Sequence, residues 1–167
     1  MDNTILETAR LRLRYQTRDD IAFLVDLWTN PEAMKYLGGP RDGDYLRGEF
    51  AKTAADPRAE EYDLWPVELK SGVLVGYAGL IPKTVAGTEL IELTYLIAPA
   101  FWGQSYGTEI AKGIVEHAWN TLALDTLISI IEPDNVASRR VAEKAGLAFC
   151  QTEERGGKVK EVWRLNR

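Results

Sequence analysis

The sequence predicts an α/β fold of the α+β kind: a mixed sheet of about seven strands with helices on both faces. Three observations carry that prediction. Residues 10–16 (RLRLRYQ) alternate strictly, with Leu11, Leu13 and Tyr15 on one face and arginines on the other, the period of a half-exposed strand. Residues 64–97 contain three extended runs, the first two joined at Lys70-Ser71-Gly72 and the last two by a Gly-containing loop. Beyond Pro99 the apolar period lengthens to that of a helix, with Ile110, Ala111, Ile114, Val115, Ala118, Trp119 and Leu122 forming one wide stripe.

The elements follow in order. After the first strand, Thr17 precedes Asp20 by three, a capping-box-like start, and Ile21, Leu24, Val25 and Trp28 recur at helical spacing. Asn30-Pro31 predicts a second, short helix, with Asn as cap and Pro at the first position, that turns Met34 and Leu37 inward and ends at Gly38-Gly39-Pro40. Asp44 opens a further helix through Leu46 and Phe50 that fades before Asp56-Pro57. Strands are expected over Leu64–Leu69, Val73–Ile81 and Glu89–Ile97, and Pro66 places the first of them near an edge or at a bulge. The long helix begins near Ser105. Thr126–Ile131 reads as a buried strand, and Asp134 or Asn135 caps a helix that stops at Gly146. Leu147–Thr152 and Val159–Leu165 close the chain as a hairpin across Arg155-Gly156-Gly157-Lys158.

Bulk properties narrow the function classes. The chain has 167 residues, 46% hydrophobic and 27% charged, and fits a single domain over 1–167 with a full core. Its longest apolar stretches fall far short of the roughly 20 residues that span a bilayer, and no signal-peptide run is present, so neither a membrane nor secretion is expected. One cysteine, Cys150, excludes an internal disulfide and a cysteine-cluster metal site. It points to a reducing cytoplasm and to a small buried residue in a late strand. A net charge of −5 argues against a nucleic-acid surface and suits a cationic amine. His117, the one histidine, has no partner in sequence and reads as structural or solvent-facing.

The segment richest in chemistry is ELTYLIAPAFWGQSYGTE, residues 92–109. A strand ends at Ala98-Pro99, a turn holding Gly103 follows, and Gly107 lies in the first turn of the long helix. Small residues let backbone N–H groups approach a bulky anion, and the helix N-terminus adds roughly half a positive charge, a match for phosphate or pyrophosphate. The plainer alternative is a tight strand-to-helix turn. A dinucleotide fold does not fit: no G-x-G-x-x-G is present, and this strand follows two antiparallel ones.

Four stretches, LETARLRLR (6–14), DLWTNPEAMKYLG (26–38), IELTYLIAPAFWGQSYGTE (91–109) and EPDNVASRRVAEKAGLAF (132–149), resemble the GNAT acetyltransferase superfamily. The similar branch is that of the bacterial ribosomal-protein N-terminal acetyltransferases. The resemblance covers nearly the whole chain in the family's order. It implies a GNAT-like, mostly antiparallel sheet with a splayed parallel pair in its middle, Glu89–Ile97 beside Thr126–Ile131, and acetyl-CoA as co-substrate with pantetheine between them. It assigns the backbone at Leu96 and Ile97 to pantetheine and the thioester carbonyl. The pyrophosphate falls to Trp102, Gly103, Gln104, Ser105, Tyr106, Gly107 and Thr108. Asn135 would bind pantetheine, cap the helix, or both.

Two departures stand out. Trp102 and Ser105 replace the first residue and the central glycine of the family's phosphate pattern, and Ala142 stands where many members carry a tyrosine general acid. Chemistry still requires that an amine lose a proton and a thiolate gain one. Glu92, where the related enzymes carry an acid, is the candidate base; its alternative is a solvent-facing strand carboxylate. Ser138 is a candidate acid and cofactor contact, or a helix-start residue. Tyr36 and Trp65 are acceptor-pocket candidates on the resemblance alone. The expected acceptor is a protein N-terminal α-amine; a small amine (amino acid, polyamine or aminoglycoside) and a non-catalytic CoA-binding module are the alternatives. No metal is expected, and monomer and homodimer stay open.

Overall fold

The periodicities of the sequence resolve, in a computed structural model that describes residues 2–167, into one eight-stranded sheet with helices on both faces. The strands are β1 (Thr4–Glu7), β2 (Leu11–Arg14), β3 (Leu64–Leu69), β4 (Leu74–Val85), β5 (Thr88–Ile97), β6 (Thr126–Ile131), β7 (Ala148–Arg155) and β8 (Lys158–Asn166). The helices are α1 (Ile21–Thr29), α2 (Gly43–Ala55), α3 (Tyr106–Asn120) and α4 (Val136–Lys144). Sheet order is β1-β2-β3-β4-β5-β6-β8-β7, and β5–β6 is the parallel pair among antiparallel neighbours.

Side-chain alternation explains the two faces. The opposed pair Tyr77 and Leu96 packs with Leu24, Met34 and Phe50 beneath α1 and α2. Their neighbours in register, Ala78 and Tyr95, turn to the other face, where Leu93, Ile110, Ile114 and Leu127 pack beneath α3. The expected capping box forms at the approach to α1: Thr17 N–H donates to Asp20 Oδ2 at 2.7 Å.

Several expectations are corrected. An eighth strand, Thr4–Glu7, pairs with β2; four residues are too few to declare a period. Residues 31–38 form consecutive turns instead of a helix. Asn30 Oδ1 does accept from Glu32 and Ala33 N–H, but Gly38 and Gly39 at φ 87° and 83° end the segment before a regular helix can propagate. Met34 is buried, whereas Leu37 stays exposed. Asp42, not Asp44, caps α2, accepting from Tyr45 N–H at 2.7 Å. Of the two expectations for Pro66, the edge is corrected, since β3 runs between β2 and β4, whereas the bulge is present. Pairing to β2 stops at Leu13 opposite Val67, so the missing N–H costs the sheet nothing, and a bulge follows at Val67/Glu68. Cys150 is exposed, because β7 is the edge strand and bulges between Phe149 and Gln151. Among the described residues, no helix is long and apolar enough to cross a membrane, and no three His, Cys, Asp or Glu side chains group to hold a metal ion.

Candidate active site

The parallel pair is joined at one position, Glu92 opposite Ile128, whereas β4 and β5 pair over ten. Past that position side chains replace the backbone ladder. Ser129 Oγ donates to the Leu93 carbonyl at 2.8 Å, and Ile130 N–H donates to Glu92 Oε1 at 3.2 Å. The two strands then separate towards their C-terminal ends.

The backbone left free by this splay is set by the phase of the antiparallel ladder. Ala98 N–H bonds the Val75 carbonyl at 2.9 Å, so Leu96, two residues back and opposite Tyr77, spends its N–H and C=O on β4. Tyr95 and Ile97 direct theirs towards the gap. The Ile97 carbonyl is taken by Trp102 Nε1–H at 2.8 Å, which leaves the N–H of Ile97 as a donor on an open strand edge.

The segment after β5 makes a second set of donors. Gly103 (φ 78°) and Ser105 (φ 62°) lie in the left-handed region. Glycine reaches it freely, whereas a serine held there costs about 1 kcal/mol. Ser105 precedes α3 without capping it through its side chain. Glu109 N–H closes the first helical bond on the Ser105 carbonyl at 3.0 Å, so the N–H groups of Tyr106, Gly107 and Thr108 have no intrahelical acceptor. A Cβ on Gly107 would stand 3.6 Å from Val141 Cγ2 and 3.8 Å from Ile97 Cγ1, filling space between two cavity-lining residues. Replacing Ser105 by glycine should stabilise the protein by about 0.5–1 kcal/mol, measured as a higher urea midpoint at constant slope.

These two donor sets meet in a cavity of about 570 Å³. Its lining comprises Tyr95, Leu96 and Ile97, the segment Phe101, Trp102, Gly103 and Ser105 to Thr108, Asn135, Ala137, Ser138 and Val141 of α4 and its cap, and the turn residues Glu32 to Leu37, Met34 excepted. Two predicted residues stand outside the lining. The Gln104 carbonyl instead accepts from Arg10 Nη2–H at 3.0 Å. Glu92 lies at the base of the splay, on the face of Leu96.

The Glu92 side chain is only 12% exposed, and this burial pushes its carboxyl above the usual carboxylate range against the opposing pull of Lys83, whose Nζ stands 3.8 Å from Oε2. It is thus neither a solvent-facing carboxylate nor a strongly paired one. Asn135 caps α4, accepting from Ser138 N–H at 3.2 Å, and its Nδ2–H donates to Ser138 Oγ at 3.0 Å. Ser138 therefore uses its N–H for the helix start and keeps its hydroxyl proton uncommitted at the cavity wall. Ala142 is fully buried in the core, so that position faces no part of the cavity.

The sequence reading did not single out Tyr95 or Phe101. Tyr95 O–H donates to the Ser138 carbonyl at 2.8 Å and ties β5 to α4 across the gap. Its place three residues after Glu92 was visible, but a contact 43 residues away was not. Tyr36 reaches the cavity, whereas Trp65 is buried in the main core. His117 lies elsewhere, half-buried on α3 beside β1.

Comparison with known proteins agrees with this geometry. The model of the "Acetyltransferase (GNAT) domain" family matches residues 10–148. The uncharacterized protein YkkB of Bacillus subtilis is 29% identical over 162 residues, covering 96% of this chain and 94% of its own. The crystal structure of an acetyltransferase from Agrobacterium tumefaciens superposes with a TM-score of 0.81 at 27% identity, over 97% of this chain and 94% of that one. The aminoglycoside acetyltransferase AAC(6′)-Ib, solved in complex with coenzyme A, has a TM-score of 0.76 at 18% identity, over 94% and 95% of the two chains. With the splayed parallel pair, the helix-terminal donors and a family model that spans most of its length, the chain belongs to the GNAT acetyltransferase domain family.

Proposed function

We propose that this chain, acting as a single cytoplasmic domain, transfers an acetyl group from acetyl-CoA to a primary amine, and that the amine is a protein N-terminal α-amine. One observation carries the transfer reading. A single cavity joins the unpaired N–H groups opening α3 to the free edge of β5. Its size is that of a ligand pocket. The helix-terminal donors suit a pyrophosphate, and the strand edge suits the amides of pantetheine. The complex of AAC(6′)-Ib with coenzyme A supports the same choice of ligand.

The chemistry then divides between the two faces of the sheet. The N–H of Ile97 polarises the thioester carbonyl as a fixed backbone donor. The amine attacks the carbonyl carbon, a C–N bond forms and the C–S bond breaks. The amine's proton passes through water to the Glu92 carboxylate, and the departing thiolate takes a proton from the Ser138 hydroxyl. The N-terminal α-amine is favoured by the resemblance of the four stretches to the ribosomal-protein branch and by an acid at the Glu92 position. The fold shared with AAC(6′)-Ib supports a second reading, acetylation of a small amine.

Calorimetric titration with acetyl-CoA is expected to show binding in the micromolar range typical of enzyme co-substrates; no binding at millimolar concentration would sink the reading. Thiol release with a panel of peptides and small amines should then show the highest kcat/KM for a peptide bearing a free α-amine. Preference for a polyamine or aminoglycoside selects the second reading.

A further inference from the structure

Arg10 lies outside the cavity lining, yet its side chain is spent almost wholly on the segment that opens α3. Its Nε–H donates to Glu109 Oε2 at 2.6 Å, its Nη2–H donates to the Gln104 carbonyl at 3.0 Å, and its guanidinium lies 4.6 Å from the centre of the Tyr106 ring. Its backbone N–H and the Thr8 hydroxyl both donate to Glu109 Oε1, at 2.7 and 2.6 Å. Among the described residues, no other side chain bonds the backbone of Gly103, Gln104 or Ser105. Besides the Trp102 bond to the Ile97 carbonyl, Arg10, in the bend before β2, is the side chain that anchors this turn and its two left-handed residues.

The electrostatics point the same way. Glu109 stands in the first turn of α3, where its charge would oppose an anion bound at the helix N-terminus. Arg10 neutralises it by a charge-assisted bond while anchoring the turn.

We infer that Arg10 is a positioning residue for the cofactor's pyrophosphate: it fixes Gln104 and Tyr106 so that the N–H groups of Tyr106 to Thr108 converge, and it cancels the Glu109 charge beside them. The inference rests on the acetyl-CoA reading above and deepens it. It predicts discrimination between two ligands. Coenzyme A carries the pyrophosphate, and pantetheine does not. A role in overall folding would weaken both; a role in pyrophosphate placement weakens the first alone.

The test measures dissociation constants of coenzyme A and of pantetheine for the wild type, Arg10→Ala and Arg10→Lys, with no acceptor needed. Arg10→Ala should weaken coenzyme A about tenfold, the scale of one charge-assisted hydrogen bond, and leave pantetheine within about twofold. Arg10→Lys keeps the charge opposite Glu109 but lacks the planar fork that also reaches Gln104, so it should restore about a third of the lost affinity. It also serves as the test variant if the alanine form does not fold. An unchanged ratio of the two constants in Arg10→Lys and, where it folds, Arg10→Ala overturns the inference. Failure of the wild type to bind coenzyme A at all overturns the acetyl-CoA reading itself, which separates the two failures.

Discussion

Replacing Glu92 by glutamine should lower turnover at least about tenfold, leave acetyl-CoA affinity unchanged and raise thermal stability. The three outcomes come from one geometry. Glu92 is outside the cavity lining, so the cofactor has no contact to lose. Its carboxylate is mostly buried, faces Lys83 at 3.8 Å and accepts from Ile130 N–H at 3.2 Å. Glutamine keeps an oxygen for Ile130 and removes the buried charge. Because burial raises the folded carboxyl above its ordinary 4.5, the folded chain holds this proton more tightly than the unfolded chain does. Wild-type stability contributed by this group is therefore full below that value and is lost as pH rises through the raised one. The variant lacks that loss and should melt higher at neutral pH.

Turnover of the wild type should climb over the same window as the base deprotonates, and this limb should vanish in Glu92→Gln. A carboxylate with a purely structural role predicts the opposite pattern, activity and stability falling together. Melting curves at several pH values and a pH profile of kcat distinguish the two.

Seven of the eight strands were legible because their periods are local; β1 was too short to show one. Residues 64–69 and 126–131 coincide with β3 and β6, and the 3.6-residue stripe from Ile110 to Leu122 places α3. The turn segment 31–38 misled because Asn-Pro is a sound helix opening, whereas the bonds that follow are those of separate turns, which close at two glycines with positive φ. At the site, the turn proposed to hold the pyrophosphate could be read from Gly103 and Gly107, and the Asn135–Ser138 pair from its cap spacing. The contributions of Arg10 and Tyr95 could not. Arg10 sits in the bend before β2, at the head of a run whose arginines alternate like a solvent face, and its partner Glu109 is 99 residues away. The ladder phase that frees Ile97 N–H depends on register with β4, a pairing that no single-strand pattern encodes.

That register also makes Gly76 the most sensitive small residue near the site. It pairs with Ile97, and a Cβ there would stand 2.4 Å from the Leu96 carbonyl oxygen and 2.9 Å from Ile97 Cδ1. The first obstacle is backbone in a ten-pair ladder, so relief requires β5 to shift, not a rotamer change. Gly76→Ala should therefore destabilise the protein by about 2–3 kcal/mol and displace Ile97, the residue whose N–H faces the gap, weakening acetyl-CoA by about tenfold or more. Gly48→Ala is the matched control. Gly48 lies inside α2 with nothing within 4 Å of the added methyl, so the same substitution should stabilise by about 1 kcal/mol there and leave binding untouched. Urea denaturation and acetyl-CoA titration of both variants provide the comparison. If Gly76→Ala lost stability but bound acetyl-CoA as tightly as the wild type, the end of β5 could not be the edge that holds the cofactor, because the methyl must press on that edge before it presses on anything else.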